Sequence, residues 1–258
     1  MKLLVCIKQV PDMESRFKPD SAGTWYSDSD LAWRMNEYDE FAVEQAVRLR
    51  ERLGDGAELT VLSIGPDRVV ECIKKALAMG CDRGVHVHDT TVHEKDPWQV
   101  ASTIAAYARE QGFDLIFTGM QSQDRGSAQV GVIVAELLKY ACATTLVDFA
   151  FDDGVITAKR ELEGGIKGVV QLPLPALVTC QLGLNVPRYP TLPNIMKAKK
   201  KEIARIPVSD LLSEEALVRT ASFHPPAKKG SGIVLEGDVG DLVDKVIGIL
   251  REKTAVLR

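Results

Sequence analysis

Two hydrophobic periods alternate along the first half of the chain. Leu3-Leu4-Val5-Cys6-Ile7 is an unbroken apolar run, as in a central parallel strand covered on both faces. After a polar stretch the period changes. Ala42, Val43, Ala46, Val47 and Leu53 make one stripe of a helix over Asp39 to Leu53, stopped by Gly54-Asp55-Gly56. Leu59 to Ile64 reads as the next strand, and Gly65-Pro66 turns into a helix ending near Gly80. Gly84 to His88 is a short strand. Asp96-Pro97 supplies an N-cap and a proline at the first helical position, for a helix ending at Gly112. Leu115-Ile116-Phe117 is another strand, followed by a polar, Gly-containing loop and a helix around Val130 to Leu138. Repeated βα units predict an α/β fold with a doubly wound, mostly parallel sheet.

The second half changes character. Thr144 to Phe151 and Val155 to Glu161 flank Asp152-Asp153-Gly154, a hairpin signal. Gly164-Gly165 marks a second turn, and Ala176 to Cys180 a last apolar strand. Residues 202–258 are proline-punctuated and end in an amphipathic helix over Val239 to Lys253, with Leu242, Val243, Val246, Ile247 and Leu250 on one face. That face either packs back on its own domain or reaches a partner.

Composition narrows the class. A chain of 258 residues with 45% hydrophobic content can bury a sizeable core. A net charge of −4 argues against general nucleic-acid binding. The run MKLLVCIKQV is interrupted by Lys8 and lacks a cleavage site, so it reads as a buried strand rather than a signal segment. No run of 18 apolar residues is present, so membrane insertion is not expected. Five cysteines are scattered without a CxxC pair, and most sit in apolar contexts that read as reduced core thiols of a cytoplasmic protein.

Candidate chemistry is sparse. Open parallel sheets bind ligands beyond the carboxyl ends of their strands. Here that rim collects Lys8 to Asp12, Asn36 to Asp39, Ser63 to Pro66 and the loop GMQSQDRGSAQVG. That loop follows a strand and opens a helix. It is either a phosphate cradle or a polar connection with Ser127 as N-cap. His86 and His88 share a strand face near Asp89 and His93, a pattern that suits a solvated strand end better than a metal site. Neither GxSxG nor HExxH occurs, and nothing marks a general acid/base pair, which favours a carrier or binding role.

The segment VPRYPTLPNIMKAKKK is the most distinctive. Pro187, Pro190 and Pro193 recur every third residue, favouring a polyproline-II-like strap on which Tyr189 and Leu192 face the same way. Asn194 is placed to cap a short helix opening at Ile195-Met196 and running into Lys197, Lys199, Lys200 and Lys201. By composition alone this is either a linker with a solvated lysine run or a docking device.

RYPTLPNIMKAKKK resembles the partner-recognition loop of the electron transfer flavoprotein beta subunit. MNEYDEFAVEQAVRLRE resembles that family's Asn-containing loop and helix, and KRELEGG followed by PALVTC resembles its signature segment. The resemblance implies a Rossmann-like sheet of the adenine-nucleotide-binding type and a heterodimer with an alpha subunit that holds most of a redox-active FAD. It implies structural AMP in this chain, contacted by Cys6, by Asn36, Glu37, Tyr38 and Asp39, and by Ile64. The remaining contacts would fall on Gly119, Met120, Gln121, Ser122, Gln123 and Asp124, and on Arg125, Gly126, Ser127, Ala128, Gln129 and Val130. Partner docking would fall on Tyr189, Leu192, Pro193, Ile195 and Met196, with Leu192 entering an apolar pocket of an acyl-CoA dehydrogenase-type donor. The acceptor would be a quinone-linked oxidoreductase.

The implied layout is a nucleotide-binding domain over 1–185, the recognition loop and basic helix start over 186–201, and a C-terminal arm over 202–258 leaning on the alpha subunit. Two departures keep alternatives open. DRGSAQVG stands where many members read DDDxNQTG and is similar to members that bind a second FAD, oxidise NADH and bifurcate electrons. Met13 stands where a tyrosine often touches the flavin. A stand-alone nucleotide-binding regulator is the reading from another class.

Overall fold

The computed structural model describes residues 1–224, 226, 230 and 232–254, so part of the expected arm (225, 227–229, 231 and 255–258) lies outside the described residues. In chain order the elements are β1 (Lys2–Cys6), β2 (Gln9–Pro11), β3 (Trp33–Met35), α1 (Glu37–Leu53), β4 (Glu58–Gly65), α2 (Val70–Met79), β5 (Arg83–His88), α3 (Pro97–Gln111) and β6 (Leu115–Gly119). There follow α4 (Val130–Leu138), β7 (Ala141–Asp152), β8 (Val155–Glu161), β9 (Lys167–Pro173), β10 (Ala176–Cys180), α5 (Leu192–Ala198), β11 (Ile203–Pro207) and α6 (Val239–Lys253). Met1–Phe223 form one compact unit and His224–Arg258 a second. The second unit carries α6, none of whose residues is buried.

The expected doubly wound sheet is present. Nine strands run β11-β5-β4-β1-β6-β10-β7-β8-β9. Pairing is parallel from β11 to β7 and antiparallel across β7, β8 and β9. The unbroken apolar run of β1 is explained by period-two alternation between two cores. Leu3 and Val5 join the cluster that includes Ala42 and Val43 of α1 and Ile73 of α2, whereas Leu4 and Cys6 join Ile104 of α3 and Val134 of α4. Because β1 pairs with β4 on one side and β6 on the other, the sheet changes its direction of growth there. Such a switch point opens a crevice beyond the carboxyl ends of the strands.

Local signals act as their chemistry requires. The Asp96 side chain accepts the Gln99 N–H at 2.9 Å and Pro97 occupies the first turn of α3. Asp153 and Gly154 both have positive φ, as a two-residue hairpin turn needs. Three pairings had no local signal: the antiparallel ribbon of β2 with β3, the insertion of β10 between β6 and β7, and β11 as an edge strand parallel to β5.

The proline segment differs in register from its expected form. Thr191, not Asn194, caps α5: its backbone is extended and its hydroxyl accepts the Asn194 N–H at 3.4 Å. The helix therefore opens at Leu192 rather than Ile195. Pro193 fits inside the first turn because N–H groups there have no helical acceptor.

Candidate functional site

A cleft opens at the switch point, lined by the ends of β1 (Cys6), β4 (Leu62 and Ile64) and β6, and by the starts of α1 and α4. It holds about 1220 Å³ including its open mouth. At its floor Asn36 and Asp39 tie three chain segments together. Asn36 is 1% exposed; its Nδ2 donates to the Gln121 carbonyl at 2.9 Å, and its Oδ1 accepts the Gln123 N–H at 3.0 Å. The Asp39 carboxylate accepts the N–H of Lys8 at 2.7 Å and of Gly119 at 3.2 Å. Burial pushes Asp39 up to about 7, although these backbone donors oppose the rise. The glycine at 119 is required by this contact, because a Cβ there would lie 2.2 Å from the Asp39 Oδ1.

The candidate contact residues fall into two groups. Cys6, Asn36, Asp39, Ile64, Gly119, Met120, Gln121, Ser122 and Asp124 face the cleft, as do Arg125, Ser127, Ala128, Gln129 and Val130. Glu37, Tyr38, Gln123 and Gly126 do not line it and instead brace its loop. Gln123 Nε2 donates to Glu37 at 2.9 Å, Gln121 Nε2 donates to the Tyr38 hydroxyl at 3.1 Å, and the Gly126 N–H donates to the Ser122 carbonyl at 2.8 Å. Cys6 is a poor thiolate here, since burial and then the Asp39 charge push its thiol far up.

The start of α4 separates the two readings of the 119–131 loop. Gln129 stands at the cap position without a side-chain cap bond, so Ser127 is not the N-cap. The first turn of α4, whose N–H groups a helix leaves without internal acceptors, lines the cleft at Val130 and Gly131. Helix α4 also starts tight against the sheet: a Cβ on Gly131 would lie 2.7 Å from the Thr118 Oγ1. Uncapped donors at a helix N-terminus suit an anion.

The cations of the cleft are already engaged. Lys8 Nζ lies 2.6 Å from both Asp124 oxygens, and burial, opposed by Asp124, pulls the amine below its usual range. Arg125 stacks 4.3 Å from the Trp25 ring centre and donates to the His93 carbonyl. Sequence reasoning missed Trp25, Tyr26 and Trp33, which line the cleft from the 12–33 segment, and Arg68, whose guanidinium sits 3.8 Å from the Trp33 ring centre. The available signal was two of the chain's three tryptophans within nine residues, in a chain only 6% aromatic. Met13 is exposed.

The histidine pair is not the solvated strand end expected, since His86 is only 2% exposed. His86 is buried, with Nε2 2.8 Å from the Gly65 carbonyl, and burial lowers its pKa. Among the described residues no group of three or more His, Cys, Asp or Glu side chains is placed to hold a metal, and no helix is long and apolar enough to cross a membrane. The five cysteines are free, and all but Cys142 are buried.

A second feature lies elsewhere on the same unit. Tyr189 is 94% exposed and Leu192 78% exposed, with Pro193, Ile195 and Met196 also exposed beside them. Monomeric proteins rarely present such a contiguous apolar group without a use. Both flanks are fastened: Asn185 Nδ2 donates to the Phe41 carbonyl at 3.0 Å, and Ala198 enters the core.

A switch-point crevice with an uncapped helix start and, elsewhere on the same unit, a fastened apolar loop define an α/β protein of the doubly wound class. The electron transfer flavoprotein domain model matches residues 24–211. The chain is 34% identical to the electron transfer flavoprotein subunit beta of Bacillus subtilis (strain 168), with 100% of each chain covered. It is 33% identical to that of Methylophilus methylotrophus over 98% of each, and 38% identical to that of Mus musculus over 95% of this chain and 96% of the relative. The chain belongs to the electron transfer flavoprotein family, as a beta subunit, an electron-carrier component that pairs with an alpha subunit.

Proposed function

We propose that the heterodimer containing this chain accepts electrons from acyl-CoA dehydrogenase-type flavoenzymes in the cytoplasm and passes them to a quinone-linked oxidoreductase. FAD, held mainly by the alpha subunit, supplies the electron-carrying chemistry when bound. This chain supplies a structural AMP site and the docking loop. The observation that carries the docking role is the exposure of Tyr189 and Leu192 on a loop fastened at both ends.

The cleft fits a mononucleotide. The uncapped start of α4 offers backbone donors to one phosphate, with Asn36 and Asp39 fixing the loop that leads to it. Lys8 and Arg125 would have to leave Asp124 and Trp25 to neutralise a second phosphate, which favours AMP over a second FAD.

Burial of the Leu192 side chain in a partner pocket is worth about 2 kcal/mol. Leu192→Ala in the heterodimer is therefore expected to weaken productive docking by about tenfold or more, with flavin content unchanged. Stopped-flow reduction by an acyl-CoA dehydrogenase reads this directly, and unchanged kinetics would remove Leu192 as the anchor.

A further inference from the structure

Arg188 sits inside the segment that resembles the recognition loop, yet its side chain turns inward. Its Nε donates to Glu44 Oε2 at 2.8 Å and its backbone N–H to the same oxygen at 3.1 Å. One terminal nitrogen reaches Glu51 Oε1 at 2.6 Å, and the other reaches Glu51 Oε2 at 3.0 Å and Glu44 Oε1 at 3.3 Å. Both carboxylates lie on α1, seven residues apart and so on one helix face. The guanidinium fork joins them to the strap in a way a point charge cannot reproduce.

Glu44 is the unusual member. Its side chain is 3% exposed, and Arg48 Nε also donates to it, at 2.5 Å. Burial raises its pKa, but the Arg188 and Arg48 hydrogen bonds outweigh burial and hold it below the ordinary carboxylate range. Arg48 makes a second tie, donating to the Val186 carbonyl at 3.1 Å. The strap is thus laced to α1 up to Arg188, and the next residue, Tyr189, is almost fully exposed.

We propose that Arg188, clamped by Glu44 and Glu51, is a positioning residue that fixes where the docking loop leaves the domain, rather than a residue that meets the partner. The proposal rests on the docking reading of Leu192. The clamp sets the exit angle of Tyr189-Pro190-Thr191, and the buried Ala198 sets the return. The apolar bridge between them is held in a docking-ready shape, so little ordering remains when a partner arrives.

The test uses the flavin-loaded heterodimer with an acyl-CoA dehydrogenase as donor. Arg188→Gln is expected to raise the KM for the flavoprotein about threefold to tenfold while kcat and flavin content hold. Arg188→Lys recovers part of the loss, since one ammonium can meet one carboxylate. Glu51→Gln, which removes a half-exposed partner and leaves the buried pair intact, gives a smaller rise and keeps the test available if Arg188→Gln folds poorly. Because Arg188 acts through the leucine, Arg188→Gln combined with Leu192→Ala is expected to be no worse than Leu192→Ala alone. A normal KM for Arg188→Gln and Glu51→Gln beside an impaired Leu192→Ala overturns the clamp and leaves docking standing. Fully additive effects also overturn the clamp, because they assign Arg188 its own contact. A normal Leu192→Ala overturns the docking reading and the clamp that rests on it.

Discussion

Asp39 shows what a single side chain does at this site. It holds the Lys8 N–H and the Gly119 N–H at once, so the loop after β1 and the end of β6 are fixed to the first turn of α1. The arrangement places a carboxyl group in the interior, where the charged form is disfavoured. Its pKa is raised from an unfolded value of about 3.9 to about 7 in the folded chain. The sign follows from proton linkage: this contribution to stability is fully present below the unfolded value and is lost as pH rises through about 7. Urea unfolding of the wild type is therefore expected to show a component of stability that falls between about pH 4 and about pH 7 and is level above that. Asp39→Asn removes that component and flattens the profile, at the expense of one backbone bond. An unaltered profile in the variant would assign the slope to other groups. Asp39 was legible as a rim residue from its place at the start of an amphipathic helix. Its role as a tie was not, because its two partners lie 31 and 80 residues away.

At the scale of elements, α1 joins the two functional features. Its N-terminal turn floors the cleft through Asn36 and Asp39, and its middle and last turn carry Glu44 and Glu51 of the clamp. Helices α1, α2 and α3 were well marked in the sequence, since each has an apolar face and a glycine stop at Gly54, Gly80 or Gly112. Caps were less secure. Thr191 and Asn194 are both good capping residues, and only the extended backbone at Thr191 decides between them. Asp96 illustrates a cap with a second duty: while one oxygen accepts from Gln99, the other accepts the N–H groups of Leu217 at 2.7 Å and Val218 at 3.0 Å. Asp96→Ala should cost about 1–2 kcal/mol through the helix cap alone and should also release the chain near residue 217. Hydrogen exchange on Leu217 and Val218 reads the second effect, and protection at wild-type level there would contradict it.

Across the whole molecule, the alternation of strands and helices made the doubly wound sheet legible, because each βα unit carries its own local period. The order of strands was less legible. β10 slips between β6 and β7, and β11 adds an edge beside β5, through backbone pairings between distant segments that no side-chain pattern records. The cleft was foreseen as a rim, since parallel sheets place ligands there, whereas its aromatic wall from the 12–33 segment was not. A residue-poor catalytic inventory, a cleft with internally paired cations and an exposed anchored loop together describe a carrier subunit. The central claim is that this chain holds one AMP while the pair carries one FAD. Nucleotide released from the purified heterodimer and quantified by chromatography tests it most directly. One FAD and one AMP per heterodimer are expected, with no reduction of the flavin by NADH. Two FADs per heterodimer, with flavin bleached by NADH, would contradict it.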